Sequence, residues 1–364
     1  MLTAEGCRRR RERLWQRLDP PPDADHLRLT DPVHLTYLAN FYVDPFSLGA
    51  GFGGCLLLRR DGHGKLLHED RLPDSVRQAR VEETVVAPWY DAQAPARGPR
   101  QLALLATTNP SGSGLRFHDR IGDPYAPVLI GTLADMRRQK DPDEIDALRG
   151  CMRAGEAGHA AARKAVQPGM TEFDVYLAVS TACQRECRHA AIVYGDFAVS
   201  PGPERTGGPP TARVLKAGDM LIVDFSVVLG GYRGDFTNTI VVGGKPTADQ
   251  QRLYELCMAA MAAGERELAA GRSCRTVYGA VNDVFDRAGM ASYFPHHAGH
   301  GLGLTHPEAP YIVREATETL LAGDVVTLEP GLYVPGQGGI RIEHNYLVTA
   351  SGAERLSNHT IALR

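Results

Sequence analysis

The chain predicts an α+β protein in two parts, a small α/β unit followed by a larger domain assembled from two similar halves. Three observations carry this expectation. At 364 residues the chain exceeds what one ordinary core supports and suits two domains. Short apolar runs with Pro-rich connections give way, between about residues 130 and 140, to helical periodicity, so we divide the chain into 1–133 and 134–364. Within the second part, Gly169-Met-Thr-Glu-Phe-Asp-Val175-Tyr176 recurs as Gly271-Arg-Ser-Cys-Arg-Thr-Val277-Tyr278, with glycine, valine and tyrosine at matching offsets. Such a repeat implies two similar halves, with any site in the seam between them.

In order along the chain, Arg8 to Leu18 reads as a short basic amphipathic helix that Asp19-Pro20-Pro21-Pro22 stops. Leu35-Thr36-Tyr37-Leu38 and Cys55-Leu56-Leu57-Leu58 read as strands, with a glycine-rich loop between them from Leu48 to Gly54 and a turn at Asp61-Gly62. Short apolar runs follow at Glu83 to Val86, Leu102 to Leu105 and Leu129 to Gly131. Asp141-Pro142-Asp143-Glu144 places proline and acids in the first turn of a helix, where exposed N–H groups favour negative charge. Ile145, Leu148, Cys151 and Met152 continue it at helical spacing. Each copy of the repeat opens an amphipathic helix, and each is followed by a strand-like segment, Ala191 to Tyr194 and Ser292 to Phe294.

Composition narrows the function. An apolar share of 43% and a charged share of 23% fit a globular protein rather than a disordered one. A formal charge of -3 gives no reason to expect nucleic acid or membrane as a partner. Apolar runs such as Leu221-Ile222-Val223 are strand length, far from the ~20 residues of a membrane helix. Met1 to Arg13 carries an arginine run with no apolar core behind it, so no secretory signal is expected and the default address is cytoplasmic. Seven cysteines without a CxxC pair read as free or buried thiols in a reducing compartment.

Five residues stand apart from charged surface. Asp224 ends Leu221-Ile222-Val223, and Asp235 follows the turn Gly230-Gly231-Tyr232-Arg233-Gly234, so two strands joined there bring both carboxylates onto adjacent parts of one sheet. Glu329 closes Val325-Val326-Thr327-Leu328, Glu343 is embedded in Ile340-Arg341-Ile342-Glu343, and His300 sits among glycines in Gly299-His300-Gly301-Leu302-Gly303. Buried carboxylates must be paired, protonated or bound to cations. Salt bridges from Arg233 and Arg341 would be the plainer account of any one acid. Four acids with a histidine are better explained by two divalent ions sharing one water. An oxygen-rich shell of this kind suits manganese, with cobalt or zinc as alternatives.

The segments Leu221 to Gly243, His296-His297-Ala298-Gly299-His300-Gly301-Leu302-Gly303, Thr327 to Tyr333 and Gly339 to Glu343 resemble the metal-binding motifs of the pita-bread metallopeptidases, in particular the prolidase and aminopeptidase P branch. The order Asp, Asp, His, Glu, Glu agrees, and the resemblance runs from about Asp135 to the end. It implies a creatinase-like N-terminal domain, matched only loosely through Leu35 to Phe41, and a pita-bread catalytic domain with internal pseudo-two-fold symmetry. It further implies that Asp224 binds one metal, Asp235 and Glu343 bridge both, and His300 and Glu329 bind the second. Glu329 doubles as general base, and His296 contacts substrate. The implied activity is that of an Xaa-Pro dipeptidase or aminopeptidase acting on short peptides, in a homodimer; Asp44-Pro45-Phe46-Ser47, beside a glycine-rich stretch, is the candidate partner contact, with an intrasubunit loop as the plainer reading.

Two departures bear on specificity. Relatives usually read His-Glu-x-Pro after the His-Gly-Leu-Gly run, whereas this chain reads Thr305-His306-Pro307-Glu308-Ala309-Pro310, with the histidine one residue early. The histidine usual before Arg213-Val214-Leu215 is replaced by Arg205-Thr206-Gly207-Gly208-Pro209-Pro210. His306 is therefore a candidate substrate contact, and Arg205 a candidate reader of a substrate C-terminus, which would give carboxypeptidase-like cleavage. A solvated loop arginine is the plainer reading of Arg205. Readings outside peptide hydrolysis are a creatinase-like relative, which needs no metal, and a peptide-binding module, which would have shed ligands.

Overall fold

The computed structural model describes residues 1–18, 24–47, 53–90, 92–96, 98, 115–120, 122–200 and 207–364. The chain divides into two compact units, Met1–Arg137 with Asp141–Glu144, and Arg138–Lys140 with Ile145–Arg364. The apolar run Leu102 to Leu105, the proline stop after the first helix, most of the Leu48 to Gly54 loop and Arg205 lie outside the described residues.

The first unit opens with α1 (Ala4–Arg17), capped by the Thr3 side chain, which accepts from Gly6 N. Its elements continue as β1 (Ala24–Leu29), α2 (Pro32–Ala39), β2 (Gly54–Arg59), β3 (Gly64–His68), α3 (Pro73–Gln78), β4 (Glu83–Val86), β5 (Leu115–His118) and α4 (Ala126–Arg138). The strands form one sheet in the order β4-β3-β2-β1-β5. The expected strand at Leu35 to Leu38 is instead the second turn of α2. Asp31 caps that helix by accepting from Val33 N, and Pro32 stands at its first position with φ already suited to a helix. Four consecutive apolar or β-branched residues do not distinguish helix from strand, whereas the cap before them does.

Beyond it run α5 (Pro142–Ala165), α6 (Glu172–Cys187), β6 (Ile192–Val199), β7 (Met220–Leu229), β8 (Tyr232–Val241), α7 (Ala248–Glu265) and α8 (Cys274–Arg287). They are followed by β9 (Gly299–Gly301), β10 (Glu308–Ile312), β11 (Val325–Leu328), β12 (Gly331–Val334), β13 (Gly338–Arg341), β14 (His344–Val348) and β15 (Ala353–Arg355). The expected strand at Ser292 to Phe294 is a single 3-10 turn, Ala291–Tyr293, which closes on a Phe294 N–H to Ala291 O bond. Phe294 itself is buried against Phe285 and Tyr278, so the apolar signal there reports packing and not extension.

The faint repeat is written far more fully in the backbone hydrogen bonds of the second unit. Gly169 N donates to Leu215 O and Gly271 N to Leu320 O. Leu215 N returns to Met170 O and Leu320 N to Arg272 O, while Thr171 pairs with Val214 and Ser273 with Thr319. Further along, Gly218 N reaches Val242 O and Gly323 N reaches Val348 O. Both leading glycines take positive φ, 94° at Gly169 and 85° at Gly271, which side-chain-bearing residues resist. Sheets β6-β7-β8 and β10-β9-β11-β14-β15 thus serve equivalent places in the two halves. Asp224 and Glu329 are separated by the same interval as Leu215 and Leu320, so the repeat itself delivers one acid from each half.

Candidate metal centre

The β7–β8 hairpin positions the two aspartates. Its register pairs Asp224 with Thr237 and Ser226 with Asp235, and because strand side chains alternate between faces, Asp224 and Asp235 share one face. Gly230 and Gly231 make the turn with φ of 56° and 88°. Glu329 follows β11, its backbone N–H bonded to Ala298 O at 2.9 Å. Glu343 lies between β13 and β14, its N–H bonded to Thr237 O at 3.0 Å. His300 is the centre of β9, buried beside Thr327, whose Oγ1 accepts its N–H at 3.1 Å.

These side chains converge. Ligand atoms of Asp224, Asp235 and Glu343 lie within 4.8 Å of one another, as do those of Asp235, His300 and His306. His300 Nε2 is 3.3 Å from Glu329 Oε1 and 3.7 Å from Asp235 Oδ2. Its Nδ1 lies 2.9 Å from Gly301 O, which can only accept, so Nδ1 carries the proton and Nε2 presents a lone pair to the acids. That is the tautomer a metal ligand requires. Thr237 Oγ1 donates to Glu343 Oε2 at 2.7 Å, whereas Glu343 Oε1 is buried with no hydrogen-bond partner among the described residues. Burial, then Asp235, Glu329 and Asp224, pushes Glu343 well above the ordinary carboxylate range. Burial also pushes Asp224 up to about 7, against the pull of Arg341. Such acids remain ionised together only with added positive charge, and oxygen donors with one imidazole fit hard divalent cations.

Around the acids lies a hydrogen-bonded surround that the sequence did not disclose. Arg341 Nε donates to Asp224 Oδ2 at 2.7 Å, its Nη2 to Asp196 Oδ2 at 2.7 Å and its Nη1 to Tyr333 Oη at 2.8 Å. The salt bridge weighed for Arg341 is therefore real, and it leaves the other three acids without an arginine partner among the described residues. Arg233 goes elsewhere, to Tyr194 Oη and Leu304 O. His296 Nδ1 donates to His297 O at 2.8 Å, and its Nε2 meets Tyr333 Oη at 3.0 Å. Burial lowers its pKa to about 4, so the imidazole is neutral. His297 Nε2 stands 3.0 Å from Glu329 Oε1. Burial pushes Glu329 up, but the hydrogen bond from His297 opposes it, and the carboxylate stands far below its usual range. His306 reaches the cluster despite its shifted position, with Nε2 2.6 Å from Asp235 Oδ2.

Four acids and an imidazole brought together on and beside the strands of a domain of two matched halves define a metal-dependent hydrolase. Residues 146–350 match the model of metallopeptidase family M24. Over 286 residues the chain is 34% identical to a probable dipeptidase, PepE, of Mycobacterium tuberculosis, spanning 75% of this chain and 74% of that one. Its fold is similar to the crystal structure of dipeptidase PepE from Mycobacterium ulcerans, with a TM-score of 0.75 at 26% identity across 100% of this chain and 98% of that one. It is similar also to an Xaa-Pro dipeptidase from Bacillus anthracis, with a TM-score of 0.76 at 22% identity across 99% of each chain. The chain belongs to metallopeptidase family M24, with the pita-bread fold, and is a metal-dependent peptidase. No helix among the described residues is long and apolar enough to cross a membrane.

Proposed function

We propose that this peptidase is a two-metal exopeptidase of short peptides, an Xaa-Pro dipeptidase or aminopeptidase. The observation that carries the reading is Glu343 Oε1, a buried carboxylate oxygen with no described hydrogen-bond partner, among the carboxylates of Asp224, Asp235 and Glu329. Asp224 would hold one ion, His300 and Glu329 the other, and Asp235 and Glu343 both. Divalent ions held there supply Lewis acidity and lower the pKa of a shared water. Glu329 accepts the proton of the attacking water at a carboxylate whose Oε1 is steadied by Thr327 Oγ1 at 3.1 Å and His297 Nε2 at 3.0 Å. His296 offers substrate a neutral ring fixed by its bond to the His297 carbonyl. His306 stands at the open side of Asp235, its side chain 28% exposed, where it faces an incoming peptide. The name of the mycobacterial relative, a probable dipeptidase, supports short substrates.

One experiment addresses metal and polarity together. Protein stripped by chelation is reloaded with manganese, cobalt or zinc, its metal content is counted, and peptide products are read by mass spectrometry. We expect two ions per chain, restoration by manganese or cobalt, cleavage of Xaa-Pro bonds and a requirement for a free N-terminus. Restoration by zinc with manganese inert would overturn the metal preference. Dependence on a free C-terminus, lost on amidation and in Arg205→Ala, would instead favour carboxypeptidase-like polarity, where a desolvated charge contact is worth ~2–5 kcal/mol.

We also propose a cytoplasmic homodimer. Free thiols at all seven cysteines support a reducing compartment. The Asp44-Pro45-Phe46-Ser47 turn, closed by a Ser47 N–H to Asp44 O bond of 3.1 Å, leaves Phe46 57% exposed and is the contact we assign to the partner. Light scattering is expected to give twice 39.5 kDa; a fully active monomer would remove the idea.

A further inference from the structure

His306 does not occupy its place by strand pairing, because it lies in the turn between β9 and β10, and the β9–β10 register shifts between Glu308 and Tyr311. What fixes the turn is a set of side chains behind it. Arg233 holds two of its carbonyls, its backbone N–H donating to Gly303 O at 3.1 Å and its Nη2 to Leu304 O at 2.9 Å. Next in the chain, Thr305 Oγ1 donates to Glu308 Oε2 at 2.8 Å, so Thr305 and Glu308 bracket His306 and Pro307 in a closed loop. The other oxygen of that carboxylate, Oε1, receives Lys140 Nζ at 2.6 Å. Both ends of the Lys140–Glu308 pair are buried, with side chains 1% and 7% exposed.

Lys140 is itself rigidly placed within the second unit. Its backbone N–H donates to Gly323 O at 2.9 Å, and the preceding residues follow suit, Gln139 Nε2 bonding Ala322 O and Arg138 pairing with Asp324 at 2.7 Å. Gly303 makes room for the pair, since a Cβ there would stand 2.5 Å from Glu308 Oε1 and 3.1 Å from Lys140 Cε. A buried ion pair is a poor device for stability alone, because apolar side chains of similar volume fill such space as well or better. The carboxylate, however, accepts the Thr305 hydroxyl on one oxygen and the ammonium on the other through strong charge-assisted bonds, and so transmits the position of Lys140 to the turn.

We propose that Lys140 is a positioning residue for hydrolysis: through Glu308 and Thr305 it sets where the His306 imidazole stands against Asp235. The inference rests on the role given to His306 under the proposed function. It is tested by a double-mutant cycle on metal-loaded protein, with Lys140→Met, His306→Ala and the double variant compared in kcat, KM, bound metal and Tm. His306→Ala and Lys140→Met are each expected to lower kcat/KM by about tenfold to a hundredfold, the scale of a misplaced active-site group. Both should keep their metal, Lys140→Arg should recover most of the loss, and the double variant should be no slower than His306→Ala. Multiplying losses in the double variant, or a Lys140→Met that lowers only Tm, would overturn the inference. Unchanged kinetics in His306→Ala would instead sink the role of His306 beneath it. Should Lys140→Met not fold, Thr305→Val breaks the same chain of contacts at its far end without unpairing a buried charge. It is expected to show the same non-additivity with His306→Ala, and independent losses there would likewise overturn the proposal.

Discussion

Glu343→Ala is expected to remove the metal and the activity together. Glu343 is held by Thr237 on one oxygen, its second oxygen has no described partner, and a ligand atom of its carboxylate lies within 4.8 Å of those of Asp224 and Asp235, so it is well placed to serve two ions. Its removal leaves Asp224 occupied by Arg341, and no second carboxylate to join the two halves of the site. We expect turnover to fall by at least about 10²–10³-fold, the scale of losing one preorganised electrostatic contact at a reacting centre. Two further measurements separate this from damage to the fold. Without metal, the variant should melt no lower than the metal-free parent, because an acid pushed far above its usual range by burial and by its acidic neighbours has been taken away. With metal, the parent should gain stability by mass action and the variant should not. Asp235→Ala should behave alike in metal and turnover. A Glu343→Ala protein with near-normal turnover would show that the site is misplaced.

The acids were legible in the sequence because each interrupts or ends an apolar run. Asp224 after Leu221-Ile222-Val223 and Glu329 after Val325 to Leu328 are two instances of one pattern, and the structure gives them equivalent places in the two halves. The repeat looked faint because only three residues recur, whereas its substance lies in backbone bonds that many sequences satisfy. Leu35 to Leu38 misled because a short apolar run suits either periodicity, and the deciding signal was the Asp31-Pro32 cap before it. Arg341 was legible only as a possible partner. That it joins Asp224, Asp196 and Tyr333 depends on how β6, β7, β12 and β13 come together. His297 stood in a quoted motif with no role assigned, and its bond to Glu329 depends on the path of the chain after β11. The one-residue displacement of His306 could not be resolved from sequence either. Whether a shifted ring still reaches the acids depends on Lys140, distant in the chain, and on the bonds that Glu308 makes.

Glu329→Gln is the second large effect, and it separates two roles that coincide in one side chain. Glutamine keeps the size and shape of glutamate, and its amide oxygen can still accept from Thr327 Oγ1 and from a protonated His297 Nε2. The backbone bond from Glu329 N to Ala298 O is untouched, so the fold and the neighbouring His300 should stay in place. What is lost is the negative charge and with it the capacity to take a proton from water. We expect kcat to fall by about 10²–10⁴-fold, the usual contribution of a general base, with a smaller change in KM. One ion should also bind more weakly, since an anionic donor has become a neutral one. Titration with manganese therefore decides between the roles. If saturating metal refills the site and turnover stays low, the proton-accepting role stands. If the refilled variant recovers turnover to near the parent value, Glu329 is a ligand only, and the base must be sought elsewhere in the cleft.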